Sequence, residues 1–392
     1  MNTTTPTMNT NYILNEKILY VFWNVIILIP FLKLGFNNTY IEFVELVIIT
    51  YLCIYLLFKF KSIEIKNLFV MYLLLLLLGI NLLYTQFELK DAFNEIRQIV
   101  LPFLFYYCVI CSHKYTEKYI LPKLALIVCY VMGALQFFVP QIVKGYYTTF
   151  SNPDIVKTNF IAFSPYNRIT GIYEDPNVFG YFMVLILAIR ITKSKNNINF
   201  KGSLFIFLDY SFILLTQSRW CITIGTLLII LYFLQTNLLA KVKVFIMGIS
   251  VSIFVLAIYP DFIDTIVTRF NKNTSSTGFS DPRFDNWKHY ISVLGKSFKS
   301  VIAGKGLGAT GMGTDKIIME NDYLDIIYKL GLFGAMVYYL NLSKLFIFKY
   351  KYRLQLLPLI AFGLSSIMAD IHRIPSITII LFSYYAISKN QK

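Results

Sequence analysis

Charged residues are scarce in this sequence: Asp, Glu, Lys and Arg make up 15% of its 392 residues, against roughly 25% in a typical soluble domain. Hydrophobic residues make up 57%. They cluster into runs of about 20 residues, the length that a helix needs to cross the hydrocarbon core of a bilayer. The composition excludes an ordinary soluble enzyme, and the runs predict a polytopic helical membrane protein.

Histidine is nearly absent as well, with three residues in the chain. They are scattered, and neither HxxxH nor HExxH occurs, so we predict no metal site. The five cysteines all lie within apolar runs. Even the CxxC formed by Cys108 and Cys111 therefore favours packing inside a span over redox chemistry.

The fold class that we predict is all-α, with about twelve transmembrane helices. The predicted spans are 18–35, 41–58, 67–84, 97–112, 120–140, 177–192, 202–217, 220–236, 243–259, 322–345, 354–369 and 373–388. They divide the chain into a polar N-terminal tail (1–17), spans 1–5 (18–140), an outer loop (141–176), spans 6–9 (177–259), a large outer loop (260–321), and spans 10–12 with the C-terminus (322–392).

The basic residues predict the orientation of the chain and exclude one class of partner. Lysine concentrates in alternate short loops, such as 59–66 and 193–201, which is typical of the cytoplasmic side. Both termini are then cytoplasmic, and both long loops face outward. The net charge of +15 does not indicate nucleic-acid binding, because the lysines fall where orientation signals belong.

Arginine is distributed differently from lysine. Six of the eight arginines fall on the predicted outer side or at its edge: Arg97, Arg168, Arg219, Arg269, Arg283 and Arg373. The planar guanidinium suits phosphate and carboxylate groups, so this bias indicates an anionic substrate at the outer face. Ion pairing with local Asp and Glu is the alternative.

Two clusters of candidate site residues precede the large loop. Arg168, Asp175 and Asn177 lead into the sixth span, and Asp175 before Pro176 is also typical of a helix cap. Arg219 lies in a short turn between two apolar runs. There it either reaches ordinary lipid phosphates or binds the pyrophosphate of a lipid-linked substrate.

Two further clusters lie in the large loop. The first contains Arg283 and Trp287, on a predicted amphipathic helix whose apolar residues are Phe284, Trp287, Tyr290, Ile291 and Leu294. Next, Gly306, Gly308 and Gly311 match GxGxxG. No βαβ unit surrounds them, so the glycines instead indicate close backbone approach or loop mobility.

The large loop ends in Glu320, Asn321 and Asp322, just before the tenth span. Acidic residues at a helix N-terminus are favoured by the helix dipole, so capping is one interpretation. A carboxylate there is also well placed as a general base. Two more acids, Glu45 and Asp209, fall within predicted spans, where such groups either serve function or pair with neighbouring helices.

In this order, the clusters resemble the O-antigen polymerase and O-antigen ligase superfamily of bacterial membrane glycosyltransferases. The resemblance covers residues 160–335. It rests on the R-x-x-G…DPN pattern of residues 168–177, Ser218-Arg219, Arg283 with Trp287, the G-x-G-x-G of residues 304–308, and Glu320–Leu324 followed by Gly331.

The resemblance implies an activity and roles for the residues. A glycan on a polyprenyl pyrophosphate would be transferred to a sugar hydroxyl at the outer face of the bacterial cytoplasmic (inner) membrane, without metal ion or cofactor. Arg219, Arg283 and Arg168 would bind the pyrophosphate, and Glu320 would be the catalytic base, with Asp322 and His289 as rivals. The residues that would position the substrate are Asp175, Asn177, Trp287, Gly306, Gly308, Asn321 and Asp322.

Glu320 stands where ligases of the superfamily carry His, so the chain looks more like the polymerase branch, which builds O-antigen or capsule chains. Its partners would be the lipid-linked donor and acceptor glycans, membrane lipid and a chain-length regulator protein. A ligase and a non-enzymatic flippase are the alternatives, although a flippase does not need so large an outer loop.

Overall fold

The computed structural model describes most of the chain, with gaps between its segments. The described residues are 10–35, 38–59, 65–83, 88–112, 121–141, 143, 168–173, 175–194, 200–235, 238–258, 260–261, 263–264, 267, 282–310, 319–346, 353–369, 371 and 374–390.

Regular structure in these segments is helical, and none of the described residues forms a strand. The α-helices are α1 (Thr10–Gly35), α2 (Asn38–Phe58), α3 (Ile65–Leu83), α4 (Leu89–Cys111), α5 (Lys123–Phe138), α6 (Pro176–Ser194), α7 (Phe200–Thr216), α8 (Arg219–Gln235), α9 (Leu238–Ile258), α10 (Pro282–Gly295), α11 (Phe298–Ala303), α12 (Asp322–Phe346), α13 (Leu357–Ser366) and α14 (Pro375–Asn390). A 3-10 turn, Arg353–Leu356, precedes α13.

Each of the twelve segments predicted as spans contains a helix, namely α1–α9 and α12–α14. Three stretches of the described helices are long and apolar enough to cross a membrane: Tyr40–Phe58, Pro176–Ser194 and Asp322–Ser343. Five further apolar helices are shorter, between 10 and 17 residues. The described part of the chain is therefore all-helical, and its helices suit association with a membrane.

The starts of two helices differ most from the sequence prediction. α1 begins at Thr10, inside the predicted tail, and α4 begins at Leu89, inside a segment predicted as an outer loop. The first turns of α4 are polar and hence escape a hydropathy window. Glu95 is nevertheless buried there, because Lys329 of α12 lies 3.0 Å from its Oε1 atom.

α6 forms the centre of the described bundle. Its apolar window is 72% buried by other parts of the protein, whereas that of α2 is 28% buried. α6 packs against α7, α8, α13 and α14, and α14 packs along α4. Aromatic side chains fill the α4–α14 contact, where the rings of Phe103 and Phe382 meet edge to face with centroids 5.0 Å apart.

α10 confirms the short helix predicted in the large loop, although its apolar residues divide between two faces. Tyr290 and Leu294 are buried against the protein, while Phe284 and Ile291 are exposed. The spacing explains the division, since residues four apart share one side of a helix and those seven apart share another.

α12 is kinked at Gly331, where φ is 68° and ψ is 179°. The backbone that follows α11 runs against this kink: Lys305 N donates to Tyr328 O at 2.8 Å, and Gly306 N donates to Lys329 O at 3.1 Å. A Cβ atom on Gly331 would lie 2.1 Å from Ile302 O. Both the left-handed φ and the close approach therefore require glycine.

We expect Gly331→Ala to lower the thermal unfolding midpoint of the detergent-solubilised protein. A residue held in a disfavoured backbone conformation costs about 1–3 kcal/mol, and the new methyl group also displaces α11. Gly79→Ala on α3 is the matched control, since a Cβ atom there meets nothing within 4 Å. Equal midpoints for the two variants would contradict this account of the kink.

Candidate functional site

A cavity of about 410 Å³ lies where several helix ends meet. The wall combines apolar residues with charged and amide side chains. The polar lining residues that carry charge or an amide are Lys33, Glu45, Arg97, Gln98, Asp175, Asn177, Arg283 and Glu320. These residues come from the C-terminal end of α1, the N-terminal parts of α2, α4, α6 and α10, and the residue two before α12. The cavity therefore collects groups that are far apart in sequence.

α10 holds the segment before α12 with two side chains one turn apart. Arg283 Nε donates to Glu320 Oε2, and Trp287 Nε1 donates to Met319 O at 3.1 Å. Residues at positions i and i+4 face the same side of a helix. One face of α10 therefore contacts the consecutive residues Met319 and Glu320. One face of α10 thus brings together Arg283, Trp287 and the Glu320 corner, which belong to two separate clusters in the sequence.

The corner that presents Glu320 is sharply turned. Glu320 has a φ of +46°, which non-glycine residues adopt rarely. The next residue, Asn321, caps α12 by accepting from Leu324 N at 3.0 Å, and its Nδ2 atom donates to Ile367 O at 2.9 Å. Asn321 therefore ties the corner to the end of α13, and it does not itself line the cavity.

The three candidate bases are placed differently. Glu320 lines the cavity, and 44% of its side chain is exposed. Asp322 is buried at the start of α12, whereas His289 is exposed on α10. Neither of these two lines the cavity, so Glu320 is the candidate base with access to a ligand there.

Asp175 and Asn177 line the cavity at the start of α6. Asp175 Oδ1 accepts from Asn177 N at 2.5 Å, the contact of a capping side chain. Arg168 does not line the cavity, although it donates to Asn177 Oδ1 at 3.1 Å and to Thr216 O at 2.8 Å. Because Thr216 ends α7, Arg168 caps that helix and orients Asn177.

Sequence reasoning missed Gln136, which fixes the turn before α6. Its Oε1 atom accepts from Thr170 N and Gly171 N, both at 2.8 Å, and its Nε2 atom donates to Gly171 O at 2.9 Å. A lone glutamine within an apolar helix is costly unless it is fully hydrogen-bonded. That isolation was the one signal the sequence carried.

The same turn places Tyr173 in the cavity wall, where its hydroxyl donates to Ser376 Oγ at 3.2 Å. Burial raises the pKa of Tyr173 well above its usual range, because the phenolate would lose its hydration. Tyr173 is therefore a neutral hydrogen-bonding group over the physiological pH range.

The glycine cluster packs against α12 and does not line the cavity. Gly308 N donates to Glu95 Oε2 at 2.7 Å, and Gly306 approaches the α12 kink as described above. Of the two alternatives for these glycines, the described positions favour close backbone approach. Gly311 and Gly313 lie outside the described residues.

A buried charge cluster holds this glycine segment in place. Lys329 Nζ lies 2.5 Å from Asp325 Oδ2 and 3.0 Å from Glu95 Oε1, with all three side chains at most 10% exposed. Thr310 Oγ1 donates to Asp325 Oδ1 at 2.6 Å. The cluster joins α4, α12 and the glycine segment, and none of its members lines the cavity.

One arginine predicted to bind the pyrophosphate is not brought to the cavity. Arg219 is the first residue of α8 and does not line the wall. Its neighbour Trp220 donates to Leu364 O at 2.9 Å, which attaches the turn to α13. Arg269 and Arg373 lie outside the described residues.

The acids predicted inside spans are paired with arginines on other helices. Glu45 Oε2 lies 2.5 Å from Arg97 Nη1, and Asp209 Oδ2 lies 2.6 Å from Arg190 Nε. Tyr130 completes the second pair by contacting both Asp209 and Arg190. Pairing with neighbouring helices, one of the two interpretations of these acids, is what the structure shows.

Comparison with known proteins gives no significant match to this chain among protein-family models, curated proteins or solved structures. In the described part of the chain, no group of three or more His, Cys, Asp and Glu side chains is placed to hold a metal ion.

We expect Lys329→Met to destabilise the protein by about 3–5 kcal/mol, because it leaves two buried carboxylates without their cation. The measurement is the unfolding midpoint in a titration with SDS. Lys288→Met is the control, since Lys288 and its partner Asp285 are 80% and 73% exposed, and it should change the midpoint little. A Lys329→Met midpoint equal to that of the control would show that the cluster is not structural.

Proposed function

We propose that this chain is a membrane glycosyltransferase that polymerises polyprenyl-pyrophosphate-linked oligosaccharide repeats at the outer face of the bacterial cytoplasmic membrane. The observation that carries the proposal is the shared cavity. It is lined by Arg283, Glu320, Asp175 and Asn177, four residues from three of the clusters on which the family resemblance rests.

The cavity has the size and the chemistry that such a transfer needs. Ligand pockets are typically 300–1,000 Å³ and mostly apolar, with a few convergent polar groups, and this one holds about 410 Å³. Carboxylate and amide groups suit sugar hydroxyls, since both accept hydrogen bonds. A guanidinium suits a diphosphate, to which it donates two parallel hydrogen bonds.

The reaction follows from these groups. The acceptor hydroxyl oxygen attacks the anomeric carbon of the donor, and the bond from that carbon to the diphosphate oxygen breaks. The diphosphate leaves with the bonding electron pair, and the Glu320 carboxylate takes the hydroxyl proton. Fixed cationic side chains then stabilise the charge that develops on the leaving group.

The helix ends around the cavity support the outward orientation. The lysine pattern of the short loops predicts that the C-terminal end of α1 and the N-terminal ends of α2, α4 and α6 face outward. All four contribute residues to this one cavity. An active site on that side would meet a lipid-linked donor after the donor's transfer to the outer leaflet. The proposed topology has twelve spans, with both termini in the cytoplasm.

We expect Glu320→Gln to lower polymerisation at least 100-fold, because a positioned general base contributes typically 10²–10⁴-fold to the rate. The assay uses purified protein in liposomes with lipid-linked repeats isolated from cells that lack the protein, and the products are separated by gel. Single repeats should remain unextended. Glu88→Gln is the matched control, since Glu88 is exposed before α4 and does not line the cavity.

Three results would contradict the proposal. Chain growth at the wild-type rate by a well-folded Glu320→Gln variant would remove Glu320 from the chemistry. Movement of the lipid-linked repeat across the bilayer without growth would indicate a transporter. Transfer of a finished glycan to a different acceptor, without chain growth, would indicate a ligase.

A further inference from the structure

One part of the cavity wall carries basic side chains that no sequence motif singles out. Lys33 of α1 and Arg97 and Gln98 of α4 line the cavity; we refer to these three residues as the α1–α4 wall. Lys33 lies in the last turn of α1, where the helix dipole also favours a cation. Arg97 and Gln98 lie on the third turn of α4.

The donors of the α1–α4 wall are only partly used. Among the residues that the structure describes, Glu45 is the one partner of Arg97, with Nη1 and Oε2 2.5 Å apart. Lys33 and Gln98 have no hydrogen bond or ion pair with any described residue. A guanidinium carries five N–H donors and an ammonium three. Most of the donors on this side of the cavity are therefore not bonded to any described residue.

The charges of the lining are unevenly distributed. Around the α1–α4 wall, the two cations Lys33 and Arg97 accompany one anion, Glu45. In the rest of the lining the two anions Asp175 and Glu320 accompany one cation, Arg283. The lining that α1, α2 and α4 contribute is therefore net basic and the lining from the other segments net acidic, which suits a ligand that carries both an anionic group and hydroxyl groups.

We propose that the α1–α4 wall is the subsite for the phosphate groups of the lipid-linked donor, and that Lys33 and Arg97 bind them directly. This rests on the proposed function and identifies a phosphate-binding pair that the predicted set of Arg168, Arg219 and Arg283 does not contain. Ile26, Ile29 and Leu101 also line the cavity beside the wall, and they provide apolar contacts for the first carbons of a polyprenyl chain.

The proposal predicts a direction of change in phosphate affinity on neutralising Glu45 that a purely structural ion pair does not predict. Glu45 competes with a phosphate for Arg97, and its carboxylate is 6% exposed. Removal of its charge makes the wall more positive and releases the guanidinium. Glu45→Gln should therefore strengthen phosphate binding, whereas loss of a purely structural pair would weaken binding and stability together.

The test measures binding of farnesyl diphosphate to the purified full chain in detergent, by isothermal titration calorimetry. Lys33→Ala and Arg97→Ala should each weaken binding about tenfold or more, since hydrogen bonds between charged groups are the stronger class. Arg97→Lys should retain part of the affinity, and Glu45→Gln should raise it. Lys123→Ala, an exposed residue of α5, is the control and should leave binding unchanged.

Two other probes separate the phosphate groups from the lipid chain. Farnesol has the same chain without phosphate and should bind equally to wild type and to Arg97→Ala. Inorganic pyrophosphate should lose affinity in the same variants as farnesyl diphosphate if the wall recognises phosphate from either source. Loss of farnesyl diphosphate binding alone would mean that recognition requires the lipid-linked form.

Unchanged farnesyl diphosphate affinity in folded Lys33→Ala and Arg97→Ala would overturn the inference, and so would weaker binding by Glu45→Gln. Polymerisation in liposomes tests the proposed function separately. Repeat growth by the wild-type protein with normal diphosphate binding in both alanine variants would leave the function standing and reject the subsite. Binding with the expected variant pattern and no growth would leave the subsite standing and reject the enzyme.

Discussion

The pairing of buried charges between helices is the constraint on which the described packing depends. Removing an ion from water is costly, and an apolar bundle offers no solvent to offset this cost. The pair Asp209–Arg190 and the cluster of Lys329 with Glu95 and Asp325 meet that requirement. Lys329 and Glu95 join α12 to α4, which is remote in sequence, so this contact helps to determine which helices are neighbours as well as how stable the bundle is.

The ion pairs that line the cavity are more exposed than the buried cluster around Lys329. The side chains of Lys329, Glu95 and Asp325 are buried. By contrast, 27% of the Arg283 side chain and 44% of the Glu320 side chain are exposed. Arg97 keeps unused donors beside its carboxylate, and Lys33 has no partner among the described residues. These accessible charged groups support the proposal that the cavity binds a ligand.

Local sequence patterns predict much of the fold but only part of the candidate site. Hydropathy predicts segments that are helical in the structure, and the Asp175-Pro176 pair predicts the start of α6, because these signals act within a few residues. The positions of Gly308 and Arg97 depend on contacts with residues distant in the chain. Gly308 contacts Glu95, and Arg97 contacts Glu45. Hydropathy also treats Glu95 as a loop residue, since it cannot register the lysine that neutralises it.

The backbone conformation at residue 320 gives a further reason to propose Glu320 as the general base. Among the described residues, Gln217 and Glu320 are the two non-glycine residues with positive φ, and of these two Glu320 lines the cavity. Such a conformation costs of order 1–3 kcal/mol and persists only where surrounding contacts enforce it. Glycine would adopt the same turn without this cost, but it could not carry a carboxylate. At position 320 those contacts come from Arg283 and Trp287 on α10 and from the Asn321 cap of α12. These three interactions hold a strained residue at the cavity wall. The strained backbone at this position therefore supports the proposal that Glu320 is the general base.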